Sequence, residues 1–200
     1  MKKIKHTFVN KIYQKEDLNN QNINFSSFKD SKFIDCNFNN TLIKESFINN
    51  TIFENCNLSN SNFSSCNLVD VKFINCNLNN SIFNASKFKS TLIENCDCNL
   101  IQARGTHFLE SILKKITFNK SDFNRSMFEN CKFENLKFDF CKMFMFFSYR
   151  TSLFNVRIDN SNLVLAKIIN CNKINTNISD NNKLLCFFEK TDSKFDNAQH

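Results

Sequence analysis

From Leu18 onward the chain places an apolar residue at every fifth position. The series opens Leu18, Ile23, Phe28, Phe33, Phe38, Ile43, Ile48, Phe53 and continues in phase to Ile168. Of its 31 positions only Ser148 is not apolar, where a chain that is 42% hydrophobic would give about 13 by chance. A helix repeats at 3.6 residues and a strand at 2, so neither accounts for the rhythm. A second phase, two residues earlier, is small or β-branched: Ser26, Ser31, Cys36, Thr41, Ser46, Thr51, Cys56. The residue between the two phases is often Asn, Asp or Lys. Two inward positions in every five describe a chain that turns a corner every five residues. The large side chain fills the middle, the small one takes the remaining space, and three positions face water.

The unit [C/S/T]-[N/D/K]-[L/F]-x-x resembles the signature of the pentapeptide-repeat family, and the resemblance covers roughly Leu18 to Ile178. It implies an all-β fold, a right-handed quadrilateral β-helix with four pentapeptides in each square coil. The expected domain layout is an N-terminal cap segment over 1–17, the β-helix over 18–178, and a C-terminal cap and tail over 179–200. Coils stacked at strand spacing, about 4.8 Å, give seven to eight turns and a rod of roughly 36 Å. Each coil touches only its neighbours, so the ends need caps.

Two windows depart from the pattern without shifting its phase. Cys96–Phe108 puts Cys98 and Ala103 at centres and holds the single glycine, Gly105. Cys141–Phe154 puts Phe146 at a small-residue position and Ser148 at a centre, and sends Phe144, Phe147 and Tyr149 to outward phases, followed by Arg150. The alternatives there are local repacking, a bulge, or an exposed apolar patch for a partner. Phe144, Phe147, Tyr149 and Arg150 are the candidate partner-binding residues. Past Ile168 the centres become Lys173, Ile178 and Lys183, and the apolar run Leu184, Leu185, Phe187 and Phe188 is a candidate cap or homodimer contact.

Composition sharpens this picture. With one Gly and no Pro, many of the turns must fall to Asn, which tolerates left-handed backbone angles. The net charge of +7 comes from bases and acids that interleave, so a mixed solvated surface is expected and direct nucleic-acid binding is not. Asp30, Asp70 and Glu110 recur at multiples of 40 on one face and Glu54, Glu94 and Glu134 on another, with lysines such as Lys114 interrupting them. No apolar run is long enough for a transmembrane helix, and the N-terminus lacks the apolar core of a secretory signal.

Catalytic chemistry is not expected. His6, His107 and His200 are scattered, one Gly cannot build a phosphate loop, and HExxH, GxSxG and paired CxxC spacings do not occur. No cofactor is expected. Nine of the ten cysteines lie in the small phase, Cys98 being the exception. Residues 20 apart stack, so Cys36, Cys56, Cys76 and Cys96 form one column, continued by Ile116, Leu136 and Val156. Parallel thiols cannot converge on a zinc ion and meet awkwardly for a disulfide, so they are expected to pack as small buried hydrophobes. Free thiols point to a reducing, cytoplasmic compartment.

The opening of the repeat also resembles the Qnr-type quinolone-resistance proteins: Tyr13, Gln14, Glu16, Asp17, Leu18 and Gln21 match an aromatic followed by Gln-x-Glu-Asp-[F/L] and a later Gln. That resemblance implies a dimeric rod, in some members a DNA mimic, that binds bacterial DNA gyrase or topoisomerase IV and relieves drug poisoning. The alternative function is a structural or protein-interaction scaffold, such as a bacterial effector, docking through the aromatic window.

Overall fold

Every pentapeptide ends where the backbone turns left-handed. In the computed structural model, which describes residues 6–179, 181–183 and 185–188, φ lies between 43° and 63° at each multiple of five from Asn10 to Asn175, and again at Leu185. Asn fills fifteen of these corners and Asp three, the residue types for which a left-handed backbone costs least. Asn thus carries many of the turns, as expected, and the rest include Lys15, Glu45, Leu100, Arg125 and Phe140. Most corner N–H groups donate to the carbonyl 19 residues further on, as from Asn20 to Asn39 at 2.9 Å and from Asn60 to Asn79 at 2.9 Å. A bond from Thr41 N–H to the Phe38 carbonyl (3.1 Å) closes a turn with Asn40 at its third position, the position of a type II turn that calls for positive φ.

The result is a parallel β-solenoid with four faces and no helix among the described residues. On the first face Phe8, Phe28, Ile48 and Leu68 pair in register, and on the second Tyr13, Phe33, Phe53 and Phe73. The third and fourth faces are joined in the first half by single bridges, Asp17–Asn37–Asn57 and Asn22–Leu42–Asn62. Every pairing has an offset of 20 residues.

The ladder is longer than the period indicates, at both ends. Thr7–Val9 and Ile12–Gln14 already pair with Ser27–Ile34, so part of the expected cap segment is a first coil. Phe8 and Tyr13 continue the centre phase, stacking on Phe28 and Phe33 at 4.6 and 4.7 Å. Their small-phase partners, His6 and Lys11, are not small, which hid this coil from the sequence. At the other end Phe187–Phe188 pairs with Lys167–Ile168, beyond the expected limit of Ile178. From Phe8 to Phe188 there are nine 20-residue steps rather than seven to eight.

The core is the two inward columns. Phe33, Phe53 and Phe73 stack at 5.2 and 5.1 Å, and Phe88, Phe108 and Phe128 at 4.1 and 4.5 Å. Ring-on-ring contact at the coil spacing is the offset stacking that aromatic quadrupoles favour. The small phase is more specific than size alone. Ser86 Oγ donates to the Phe63 carbonyl (2.6 Å) and Thr41 Oγ1 to the Leu18 carbonyl (2.7 Å), each 23 residues back. The hydroxyl adds a second bond to a buried carbonyl that otherwise accepts only a turn N–H, from Cys66 to Phe63 at 3.2 Å and from Gln21 to Leu18 at 3.3 Å.

Candidate functional site

The cysteine column is built as expected and is more polar than expected. Cys36, Cys56, Cys76 and Cys96 are buried free thiols. Cys56 Sγ donates to the Phe33 carbonyl at 3.4 Å and Cys76 Sγ to the Phe53 carbonyl at 3.3 Å. Each does what Ser86 does elsewhere, so the thiol is a hydrogen-bond donor as well as a small hydrophobe. Burial pushes Cys66 up to about 12 and Cys131 and Cys141 up to about 11. Hydrogen bonding to Cys56 and Cys96, with burial, pushes Cys76 up, and the same bonds pull Cys56 and Cys96 down. Among the described residues no three His, Cys, Asp or Glu side chains are grouped to hold a metal ion.

The aromatic window does not bulge. Phe146 and Ser148 are both buried in the coil interior, the large ring at the small position and the small hydroxyl at the centre. Their exchange conserves volume, which is why the phase survives. Phe147 and Tyr149 then lie half-buried on the first face, rings parallel within 8° and centroids 6.1 Å apart. Arg150 occupies the next corner, exposed, with its guanidinium 4.9 Å from the Tyr149 ring centroid. Such a contact at an exposed site contributes about 0.5–1 kcal/mol. Met127 and Lys167 flank Phe147 in register, and Glu129 and Ile169 flank Tyr149.

Phe144 does not belong to that cluster. It stands one corner away on the fourth face, half-buried, its N–H donating to Asn124 Oδ1 at 2.8 Å. Phe187 and Phe188 are exposed on the last pairing strand and Leu185 at its preceding corner, while Leu184 lies outside the described residues. The Lys173 amine sits 4.8 Å over the Phe188 ring.

Sequence reasoning missed the corners themselves. Leu100, Phe140 and Met145 are 47%, 56% and 43% exposed with left-handed backbones. Sorting the multiples of five for residues other than Asn, Asp and Gly would have found them.

One acidic column is neutralised by ion pairs and the other is broken by neutral residues. Glu54 pairs with Lys32 at 2.6 Å, Glu94 with Lys114 at 3.0 Å, and Glu134 with Lys132. Asp30 accepts from Asn50 Nδ2 at 2.8 Å, and Asn50, Ser90 and Asn130 interrupt its column. No continuous acidic stripe runs along the described residues.

Residues 26–102 match the family profile described as "Pentapeptide repeat region". The match supports the pentapeptide-repeat family for this chain, and the same period and corners extend well past its limits. No curated protein matches in sequence. Among solved structures, a pentapeptide repeat protein of the Arabidopsis thaliana thylakoid lumen aligns at 14% identity and a TM-score of 0.44, over 46% of this chain and 64% of that one. The plasmid-mediated fluoroquinolone resistance protein QnrB1 aligns at 11% identity and a TM-score of 0.39, over 87% and 92%. HetL, a pentapeptide repeat protein involved in heterocyst differentiation in the cyanobacterium Nostoc, aligns at 11% and 0.37, over 91% and 90%. The chain thus spans just under two thirds of the thylakoid-lumen protein's length.

Proposed function

We propose that this protein is a non-enzymatic rod that acts by binding another protein. The observation that carries the reading is the Phe147, Tyr149 and Arg150 cluster. Two aromatic rings and a guanidinium are held on a rigid sheet face, where little conformational entropy remains to be lost on binding. These are the residue types that dominate protein interfaces.

The partner proposed first is a bacterial type II topoisomerase, DNA gyrase or topoisomerase IV, protected from quinolone-type inhibitors. Its support is the resemblance at Tyr13, Gln14, Glu16, Asp17, Leu18 and Gln21. A homodimer through the C-terminal end, where Leu185, Phe187 and Phe188 are exposed, and a cytoplasmic location are part of the same proposal. The test is gyrase supercoiling with a fluoroquinolone, titrating the protein, alongside direct binding to gyrase. Rescue that is lost in Tyr149→Ser and Arg150→Ala supports it. The absence of both rescue and gyrase binding removes topoisomerase from consideration.

A second reading, a scaffold with another protein partner, is favoured by the paired carboxylates. Mimicry of DNA needs a run of unpaired negative charge. A docking scaffold needs none.

A further inference from the structure

The fourth face changes character halfway along the rod. Its first four coil segments, residues 20–25, 40–45, 60–65 and 80–85, carry only Lys44 and Glu45 and so have no net charge. The next four, 100–105, 120–125, 140–145 and 160–165, carry Arg104, Lys120, Arg125 and Lys142 against Asp122, four minus one, or +3. Asp122 is engaged by Arg104 at 3.6 Å. Lys120, Arg125 and Lys142 are exposed and make no ion pair among the described residues. Between them stand Leu100, Phe140 and Met145, exposed, and Phe144, Val164 and Leu165, half-buried.

The corners supply an independent observation. The corner column leading into this face is Asn20, Asn40, Asn60 and Asn80, then Leu100, Lys120 and Phe140, with Asn again at Asn160. All eight have positive φ. Leu, Lys and Phe pay a conformational penalty there that Asn largely avoids. Exposed as they are, Leu100 and Phe140 recover little of it by burial in the chain's own core. Lys15 and Glu45 also hold strained corners, so what sets this column apart is the exposure of large apolar side chains at Leu100 and Phe140, which points to a function served by those side chains.

We propose that the 100–165 half of the fourth face, with its two flanking corners, is a docking surface for an acidic amphipathic helix of a protein partner. This rests on the protein-binding reading above and names a second surface and its ligand chemistry. One side of the square holds three extended residues between corners, about 10 Å, close to the diameter of a helix, about 10–12 Å. Phe144, Met145 and Leu165 receive the helix's apolar stripe, and Lys120, Arg125 and Lys142 receive its carboxylates. A single nucleic-acid strand fits less well. Base stacking needs successive exposed rings, and here the exposed apolar side chains besides Phe140 are Leu100 and Met145.

The test converts the second half of the face into the first. The full chain carrying Lys120→Asn, Arg125→Asn, Phe140→Asn and Met145→Asn keeps left-handed-tolerant residues at all four corners, so its unfolding midpoint should equal or exceed the parent's. Fluorescence anisotropy then follows a labelled helical peptide of Leu and Glu with an amphipathic repeat, a scrambled peptide of the same composition, and a dT20 oligonucleotide. The inference expects the amphipathic peptide to bind at least tenfold tighter than the scrambled one, and the four-site variant to lose at least tenfold. Equal binding of the two peptides, undiminished binding to a folded variant, or preferential capture of dT20 overturns it. Tyr149→Ser and Arg150→Ala should leave the peptide's affinity unchanged. Loss of gyrase binding in those variants alone therefore reports on the first-face reading, and loss of peptide binding in the Asn variant alone on this one.

Discussion

Asn60 isolates the cost of a corner. Its φ is 57°, its side chain is exposed and makes no hydrogen bond among the described residues, and its N–H donates to the Asn79 carbonyl at 2.9 Å. Substitution therefore changes backbone preference and little else. An ordinary L-residue pays roughly 1–2 kcal/mol for a left-handed conformation. Asn60→Ala should lose about 1 kcal/mol, and the β-branched Asn60→Val about 2 kcal/mol, since a branched residue at positive φ is a true outlier. Asn60→Gly relieves the strain but adds about 0.5–1 kcal/mol of unfolded-state entropy, leaving it near the parent. With a urea slope of roughly 2–3 kcal/mol/M, each kcal/mol moves the midpoint by about 0.3–0.5 M. The internal control is Asn49→Val. Asn49 lies outward in the strand Phe47–Glu54, in register with Lys29 and Val69, where a β-branched residue fits and the midpoint should hold or rise. Urea melts of the five proteins decide the matter. If Asn60→Val and Asn49→Val unfold at the same midpoint, positive φ is not what restricts these corners.

Other outcomes follow from the interior. Phe146→Ser and Ser148→Phe should each destabilise by about 3 kcal/mol, one by a cavity and one by overpacking. The double exchange should recover most of the loss, and additive losses in a thermal-melt cycle would contradict the volume swap. Ser86 Oγ donates to the Phe63 carbonyl and accepts from Cys66 N–H at 3.1 Å. Ser86→Ala should therefore cost about 1–3 kcal/mol, and Ser86→Cys, which keeps a donor, clearly less; equal costs in urea would mean the donor is irrelevant. The raised thiols make stability fall at high pH. Their folded values, about 12 for Cys66 and about 11 for Cys131 and Cys141, exceed the ordinary 9.0. The folded state then holds protons that the unfolded chain gives up, so this contribution is complete below pH 9 and is lost as pH rises through 11 to 12. Urea midpoints should be flat from pH 7 to 8.5 and drop by pH 10.5. At pH 8 a thiol reagent should label the native protein only slowly, half-buried Cys186 first, and rapid labelling of all ten would refute the burial.

The coil is legible in the order of residues alone. A period of five with two inward phases admits one arrangement of burial, and the 20-residue arithmetic placed Cys36 above Cys56 and Cys76 because neighbouring coils are identical in length. It also marked Phe147, Tyr149 and Arg150, since large apolar residues at outward phases stand out against the pattern. The first coil escaped because His6 and Lys11 broke the small phase while Phe8 and Tyr13 kept the large one. Which outward residues share a face emerges from the winding of the chain. Phe144 and Phe147 are three apart in sequence, yet a left-handed corner at Met145 stands between them. Leu100 and Phe140 are forty apart and share a corner column, because a solenoid brings together what the coil length separates. The ion pairs that neutralise Glu54, Glu94 and Glu134 join neighbouring columns or successive coils, and such pairs depend on where long side chains reach. The backbone repeat follows from local sterics and was legible. The surface chemistry is written across coils, and it becomes visible only when the chain is wound.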